Sequence, residues 1–447
     1  MSQRQLRSRC AEPILLLTAV VAVYISALGG VFQFDDYLVI VNNSAVHGWA
    51  AWFASMPGIR PLLKLSYTAN WTSELGLAGF HLFNLACHAA NALMALALFR
   101  RWPGAAGNGA ALVAALIFAL HPAQTEAVTY ISGRSVSLMA MFYLAALLAW
   151  LRAHETSDER WRMIAAPLLF VAALATKETA WTLPFALLLW EYARTGAWRA
   201  AAIRLLPLWI VLAAALAIMA GLPGYRRLVT FSMESRAPLD NLLTQIGGQF
   251  YLLKQWLLPI PNIDPDLPVV TGLGPAVALQ GLLLAGMLAG GIYAMRRRPW
   301  LGLALLWFFL HLLPTNSFLP RLDIANDRQL YLASLGPALA IAVALRRLHL
   351  WQLSNTLANT LTLMLLLALG AATAWRNLDY RSERALWQAT VQESPQKARA
   401  WLNLGYACRL SGDNRAARTA YERALELKPD YQQARINLRL LPEISEK

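Results

Sequence analysis

Residues 13–32 read PILLLTAVVAVYISALGGVF, and three residues beyond them stands the acid pair Asp35-Asp36. An uncharged run of this length, at ~1.5 Å rise per residue, crosses ~30 Å of hydrocarbon as a helix. The basic stub Arg4, Arg7, Arg9 lies just before it, so the run is basic at one end and acidic at the other. Carboxylates are costly at membrane depth, and an acid pair at the membrane surface is a candidate functional site. The plainer reading is a solvated loop start with helix-capping aspartates. No convincing small-residue cleavage site precedes Asp35, so the run is expected to stay as a span rather than be removed as a signal peptide.

Working outward, the 447 residues are 57% hydrophobic and only 14% charged, which excludes an ordinary soluble protein of this size. Further apolar runs of helical length fall at about 80–99, 109–121, 135–151, 162–176, 179–191, 204–221, 239–258, 275–295, 299–313, 329–345 and 355–375. The net charge of +14 would suggest a nucleic-acid partner in a soluble domain. Here the bases fall in short clusters between apolar runs, as cytoplasmic loops require, so the charge reads as topology and no nucleic acid is expected. With the N-terminus in the cytoplasm, Arg100-Arg101, Arg152 to Arg162, Arg194 to Arg204, Arg296 to Arg298 and Arg346-Arg347 share that side, provided 239–258 is interfacial or re-entrant within a long external loop, 222–274. The expected fold is all-α, with about 11 transmembrane helices over residues 1–376 and the remaining 377–447 outside. Cys10, Cys87 and Cys408 are too scattered for a disulfide framework or a metal cluster.

Within 377–447 one motif is legible from its period. Trp401, Leu404, Gly405, Ala417, Tyr421, Ala424 and Pro429 occupy the diagnostic places of a tetratricopeptide repeat over about 398–431, with Cys408 where an aromatic is usual. Small Gly405 and Ala417 let two helices approach, Trp401 and Tyr421 fill the space, and Pro429 ends the second helix. Trp387 and Pro395 mark a preceding half-repeat, and 432–440 reads as the start of the next. So short an array cannot stand alone, and it is expected to pack on the membrane domain or on a protein partner.

The polar residues of the membrane part form several constellations. His81, Asn84, His88 and Asn91 recur at helical spacing, giving one polar helix face that either bonds neighbouring helices or, at His81, lines a site. His81 and His88 are two turns or ~10 Å apart, too far for one metal ion. Arg60 lies in the first external loop, where it could complement Asp35-Asp36. His121-Pro122 opens a capped external helix that carries Glu126, and Gly133-Arg134 ends it. Lys177-Glu178 sits between two spans, while Arg321 and Arg328 precede Leu330-Tyr331-Leu332. Bases at an external membrane boundary suit a phosphate held at headgroup depth. The alternative is ion pairing of Lys177 with Glu178 and of Arg328 with Asp327. Asp264-Pro265-Asp266 reads as a turn or as part of an acceptor groove.

This ordered set, Phe34-Asp35-Asp36, Arg60-Pro61, Phe80-His81 to Asn91, His121-Pro122 to Glu126, Gly133-Arg134, Lys177-Glu178 and Asp327-Arg328 with Tyr331, followed by the repeat, resembles the transmembrane and tetratricopeptide-repeat O-mannosyltransferases. These are similar to GT-C glycosyltransferases that take sugar from a polyprenyl-phosphate donor outside the cytoplasm. The resemblance implies that one of Asp35 and Asp36 is the catalytic base and the other a positioning acid. It further implies donor or substrate contacts from Arg60, His81, His121, Glu126, Arg134, Lys177, Glu178 and Arg328, and an inverting transfer of mannose or another hexose to a protein hydroxyl. No metal ligand is expected, and nothing identifies a divalent metal requirement. The family pattern has an acid two places after Gly-Arg, where this chain has Val136, and its long repeat array is here about one and a half repeats. The Ala- and Leu-rich composition suggests a bacterial inner membrane. The competing readings are a membrane-anchored docking protein without catalysis, and a transferase acting on a lipid or polysaccharide acceptor.

Overall fold

A computed structural model describes residues 3–104, 108–260, 262–347 and 355–442. The side chains of the basic stub and of Cys10 lie outside the described ones. Among the described residues every regular element is a helix. Five helices are long and apolar enough to cross a membrane: Ala11–Gly29, Gly76–Phe99, Ile131–Thr156, Pro275–Arg297 and Thr356–Arg381. Three bent pairs raise the number to eight, each counted as one span. The apolar helices Trp161–Thr176 and Pro299–Leu312 are shorter. The expectation of 11 is therefore not reached by length and composition, because several apolar runs break or stop short. Leu183–Thr195, for instance, has 13 residues, about two thirds of what a bilayer needs. The Pro238–Leu257 helix is not among the span candidates. It buries a largely polar side, with Asn241, Thr244, Gln245 and Gln255.

The breaks have sequence causes. Asn108–Leu120 cannot run on through His121-Pro122, since Pro122 lacks the amide and sits at the start of the next short helix. The chain turns by 54° there. A second bend, of 61°, separates Asp327–Ala333 from Leu335–Arg347. There Gly336 lies so close to the preceding span that a Cβ would come within 2.0 Å of the Ala304 carbonyl oxygen. These two bends bring Glu126 and Arg328 together.

The polar face of Gly76–Phe99 is mostly helix glue. Asn91 Nδ2 donates to the Ser137 carbonyl (2.8 Å) and to Tyr331 Oη (3.0 Å), and His88 bridges Tyr331 Oη (2.8 Å) and the Ala119 carbonyl (3.0 Å). Such bonds replace water for polar groups inside the bundle. At one end of the bundle the bases gather: Arg100 pairs with Glu12, Arg101 with Glu155 (2.6 Å), Arg194 with Glu191 (3.0 Å), and Arg347 lies over Trp300 (5.0 Å). At the other end lie Asp35, Glu126, Lys177 and Arg328.

The repeat forms as its period requires. Ala398–Leu410 and Asn414–Leu427 are antiparallel partners, with Gly405 under Tyr421 so closely that a Cβ would come within 2.5 Å of the ring. Glu383–Glu393 precedes them and Gln432–Arg439 follows. The unit does not stand apart from the bundle. Trp387, Leu386, Tyr380, Ala400 and Ala407 share one buried cluster with Tyr130 and Ile263, against which Phe34 packs. Burying such a cluster supplies what a short repeat array lacks by itself.

Candidate active site at the acid end of the bundle

The two aspartates have different surroundings. Asp36 is fully buried; its Oδ2 accepts from the Gln33 amide (3.0 Å) and its Oδ1 from the Ser132 amide (2.7 Å). Burial, only partly offset by these bonds, pushes its pKa up to about 7. Asp36 therefore pins the loop after the first span onto the 131–133 turn. Asp35 keeps 37% of its side chain exposed and has an Oδ2 3.9 Å from Arg328 Nη1. Its backbone amide donates to Tyr130 Oη (2.8 Å). Burial raises the Asp35 carboxyl above its ordinary value, Arg328 lowers it and Asp323 raises it again. A carboxylate with a raised pKa and open access is what a general base requires. Phe34, immediately before, adopts φ 46°, a left-handed conformation unusual for a bulky residue, so the turn presenting Asp35 is held by its surroundings.

Arg328 is the hub. Its backbone amide donates to Glu126 Oε2 (3.0 Å), and its guanidinium faces Glu126 (3.3 Å), Asp323 (3.8 Å) and Asp35 (3.9 Å). The sequence-level pairing with Asp327 is corrected: the Asp327 carboxylate turns away, to the Asn262 amide and the Gln255 side chain. Behind Arg328 opens a small cavity lined by Lys177, Arg321, Arg328, His311, Asn326 and Val136, among others. Val136, at the place where the family pattern would put an acid, leaves that wall apolar. Lys177 is 6% exposed, and its Nζ donates to Ser135 Oγ (3.3 Å). Burial, then the nearby Arg328, Arg60 and Arg321, hold its pKa well below the usual lysine value. Three basic side chains, one of them a desolvated lysine, thus line one small cavity, and their chemistry is suited to an anion.

The remaining candidates fall outside this centre. Arg60 does not meet the acid pair; it forms a forked ion pair with Glu178 (2.8 to 3.1 Å), which also removes the expected Lys177–Glu178 pair. Burial alone would raise Glu178, but Arg60 overrides it and holds the carboxyl below its ordinary range. Arg134 is fully buried, donating to Asn84 Oδ1 (2.6 Å) and to the Ser66 and Phe80 carbonyls (3.1 and 2.9 Å), with Phe83 stacked at 4.3 Å. It ties three elements together and is not available to a ligand. His121 has both ring nitrogens engaged, with the Trp256 carbonyl (2.8 Å) and the Ala123 amide (3.2 Å). His81 is 3% exposed and packs under Gly30. Among the described residues no group of three or more His, Cys, Asp or Glu could hold a metal ion.

Sequence reasoning left Asp323 and Arg399 out of the site and gave Asp264 only as part of a turn or of an acceptor groove. Arg399, from the repeat, grips Asp264 through two bonds of 2.7 Å and reaches Asp323 at 2.5 Å. Only the Asp264-Pro265-Asp266 turn hinted at this, and its partner lies 135 residues away.

Residues 398–431 match the tetratricopeptide repeat family model. Along most of its length the chain is similar to curated proteins. It is 26% identical to a Caenorhabditis elegans protein O-mannosyl-transferase over 94% of this chain and 63% of that protein. It is 24% identical to the human protein O-mannosyl-transferase TMTC3 over 96% of this chain and 52% of that protein. A Drosophila melanogaster protein O-mannosyl-transferase, Tmtc2, is 33% identical over 36% of this chain. The chain thus spans between about half and two thirds of the length of the first two. Over most of its length it is similar to protein O-mannosyl-transferases, and its C-terminal region carries a tetratricopeptide repeat.

Proposed function

We propose that the chain is a membrane glycosyltransferase that moves mannose or another hexose from a polyprenyl-phosphate donor to a protein hydroxyl. The observation that carries this reading is the part-exposed Asp35 carboxylate beside Arg328, a residue that lines one cavity with Lys177 and Arg321. In the reaction the acceptor oxygen attacks the anomeric carbon as the bond from that carbon to the phosphate oxygen breaks. Asp35 takes the hydroxyl proton, and the departing lipid phosphate keeps the bonding pair. Arg328 offers a fork to that phosphate, and Lys177 and Arg321 add charge in a partly desolvated cavity, where each counts for more than in water. In a single displacement of this kind the acceptor oxygen enters opposite the departing phosphate, so configuration at the anomeric carbon is inverted.

The basic end of the bundle faces the cytoplasm in this reading, and the site and repeat lie on the external side of a bacterial inner membrane. A lipid-borne donor explains why the site is at the edge of the apolar helices. The relatives named above are protein O-mannosyl-transferases, which favours a protein acceptor over a lipid or polysaccharide. A catalytically dead anchor would have no use for three cations around an open cavity. The test is transfer of labelled mannose from a polyprenyl-phosphate carrier to a Ser/Thr peptide by the purified chain in proteoliposomes. Labelled peptide is expected, and its absence with a donor that binds would overturn the reading.

A further inference from the structure

Arg328 is surrounded by three acids, yet its guanidinium is in tight contact with none of them: Glu126 is at 3.3 Å, Asp323 at 3.8 Å and Asp35 at 3.9 Å. What keeps Asp323 from closing on it comes from the far end of the chain. Arg399, the second residue of the first repeat helix, takes Asp323 Oδ1 at 2.5 Å while gripping both oxygens of the 2%-exposed Asp264 at 2.7 Å. Lys397 adds a second cation at 3.5 Å from Asp264. The segment just before the Arg399 helix, the turn Asn377–Arg381 and the helix Glu383–Glu393, is fixed against the Asp35 loop, and the Arg399 guanidinium itself lies over the Phe34 ring (5.8 Å). The Phe34 ring packs edge-on to Trp387 (5.1 Å), the Phe34 amide donates to Glu383 Oε1 (3.2 Å), and Gln33 Nε2 donates to the Tyr380 carbonyl (2.5 Å). Nearby, Ser394 Oγ bridges Asn262 Nδ2 (2.6 Å) and the Asp266 amide (3.0 Å).

We propose that Arg399 is a positioning residue of the transferase site: by holding Asp323 against Asp264 it keeps that carboxylate off Arg328, so that the Arg328 fork, which faces the neutral side-chain oxygen of Asn326 at 3.2 Å, can turn to the donor's phosphate. This role rests on the function proposed above. The repeat is then part of the active site's charge arrangement as well as a recognition module. A planar guanidinium can bind two carboxylates at once through fixed donors, which a single ammonium does less well.

The experiment measures donor KM and kcat of the full-length chain in proteoliposomes for wild type, R399M, R399K and R399M/D323N. R399M is expected to raise donor KM by roughly ten- to a hundredfold, in the range of directly coupled charges, with a smaller change in kcat. R399K, which keeps a cation on Asp264 and so preserves docking if R399M does not fold, should raise donor KM in the same direction. The decisive variant is R399M/D323N, which should recover most of the lost donor affinity because the competing carboxylate is gone. A purely structural Arg399 predicts no recovery, since Asp264 still lacks its forked partner and keeps only Lys397. Unchanged donor KM in R399M and R399K, or a double variant as impaired as R399M, would overturn the role while leaving the transferase reading intact. No transfer by wild type overturns that reading and this role with it.

Discussion

At the scale of single residues, Asp35 and Asp36 stand side by side in the chain and do different work. Asp35→Asn is expected to lower kcat by roughly a hundred- to ten-thousandfold with normal membrane insertion. Asp36→Asn should act mainly on stability, because its two backbone bonds fix the loop. The sign of its pH dependence follows from a folded-state pKa raised to about 7. The folded state then holds a proton that the unfolded state has lost, so this contribution is present below the ordinary aspartate pKa and disappears as pH rises through about 7. Thermal melts across that window should show the loss in wild type and not in Asp36→Asn. Lys177 runs the other way. Its pKa is depressed in the free protein by burial and by neighbouring cations, and a bound phosphate raises it. Binding of polyprenyl phosphate should therefore take up a proton and weaken as pH rises, and Lys177→Met should abolish that dependence. A pH-independent affinity in wild type would contradict the assignment. The acid pair and the bases at Lys177 and Arg328 were legible from sequence because charge at a membrane edge is conspicuous. Which acid is buried was not, since that depends on the Ser132 amide 96 residues away.

At the scale of elements, the site depends on turns that join broken helices. Gly133 is the tightest of them: a Cβ there would come within 1.9 Å of the Glu126 carbonyl oxygen. Gly133→Ala must push the 131–133 turn away from Glu126, displacing both the amide that holds Asp36 and the helix that carries Glu126 to Arg328. Transfer should collapse, and stability should fall by ~1–3 kcal/mol or more. Wild-type activity in that variant would show that the turn does not position the site. Helix glue on Gly76–Phe99 was foreseen from the spacing of Asn84, His88 and Asn91, because a polar stripe in hydrocarbon must find partners. The fate of Arg134 was not foreseen. Its sequence neighbourhood looks catalytic, but Asn84, Ser66 and Phe80 converge on it from two other helices and use up its donors. The break at His121-Pro122 was legible as the start of a capped helix, whereas the bend at Ser334 escaped a reading based on apolar length, which ran one span over 329–345.

At the scale of the whole molecule, two parts of the chain that look separable in sequence share a core. The repeat was recognisable from its own period, and its need for a neighbour followed from its shortness. That its neighbour is the Asp35 loop could not be read locally, because Phe34 and Trp387 lie far apart in the chain and neither belongs to a motif that pairs them. A chain ending at Arg376 should insert into membranes yet fail to transfer, having exposed Tyr130, Ile263 and Phe34. Trp387→Ala should weaken the junction by ~3–5 kcal/mol, visible as faster proteolysis between the bundle and the repeat. The central claim is that Asp35 performs the proton transfer beside a cationic phosphate site. It is tested most directly by measuring, on one preparation of Asp35→Asn, both polyprenyl-phosphate-mannose binding and single-turnover transfer to a Ser/Thr peptide. The account predicts donor binding close to wild type with transfer reduced by roughly a hundredfold or more. Transfer at the wild-type rate would remove Asp35 as the base and contradict the account.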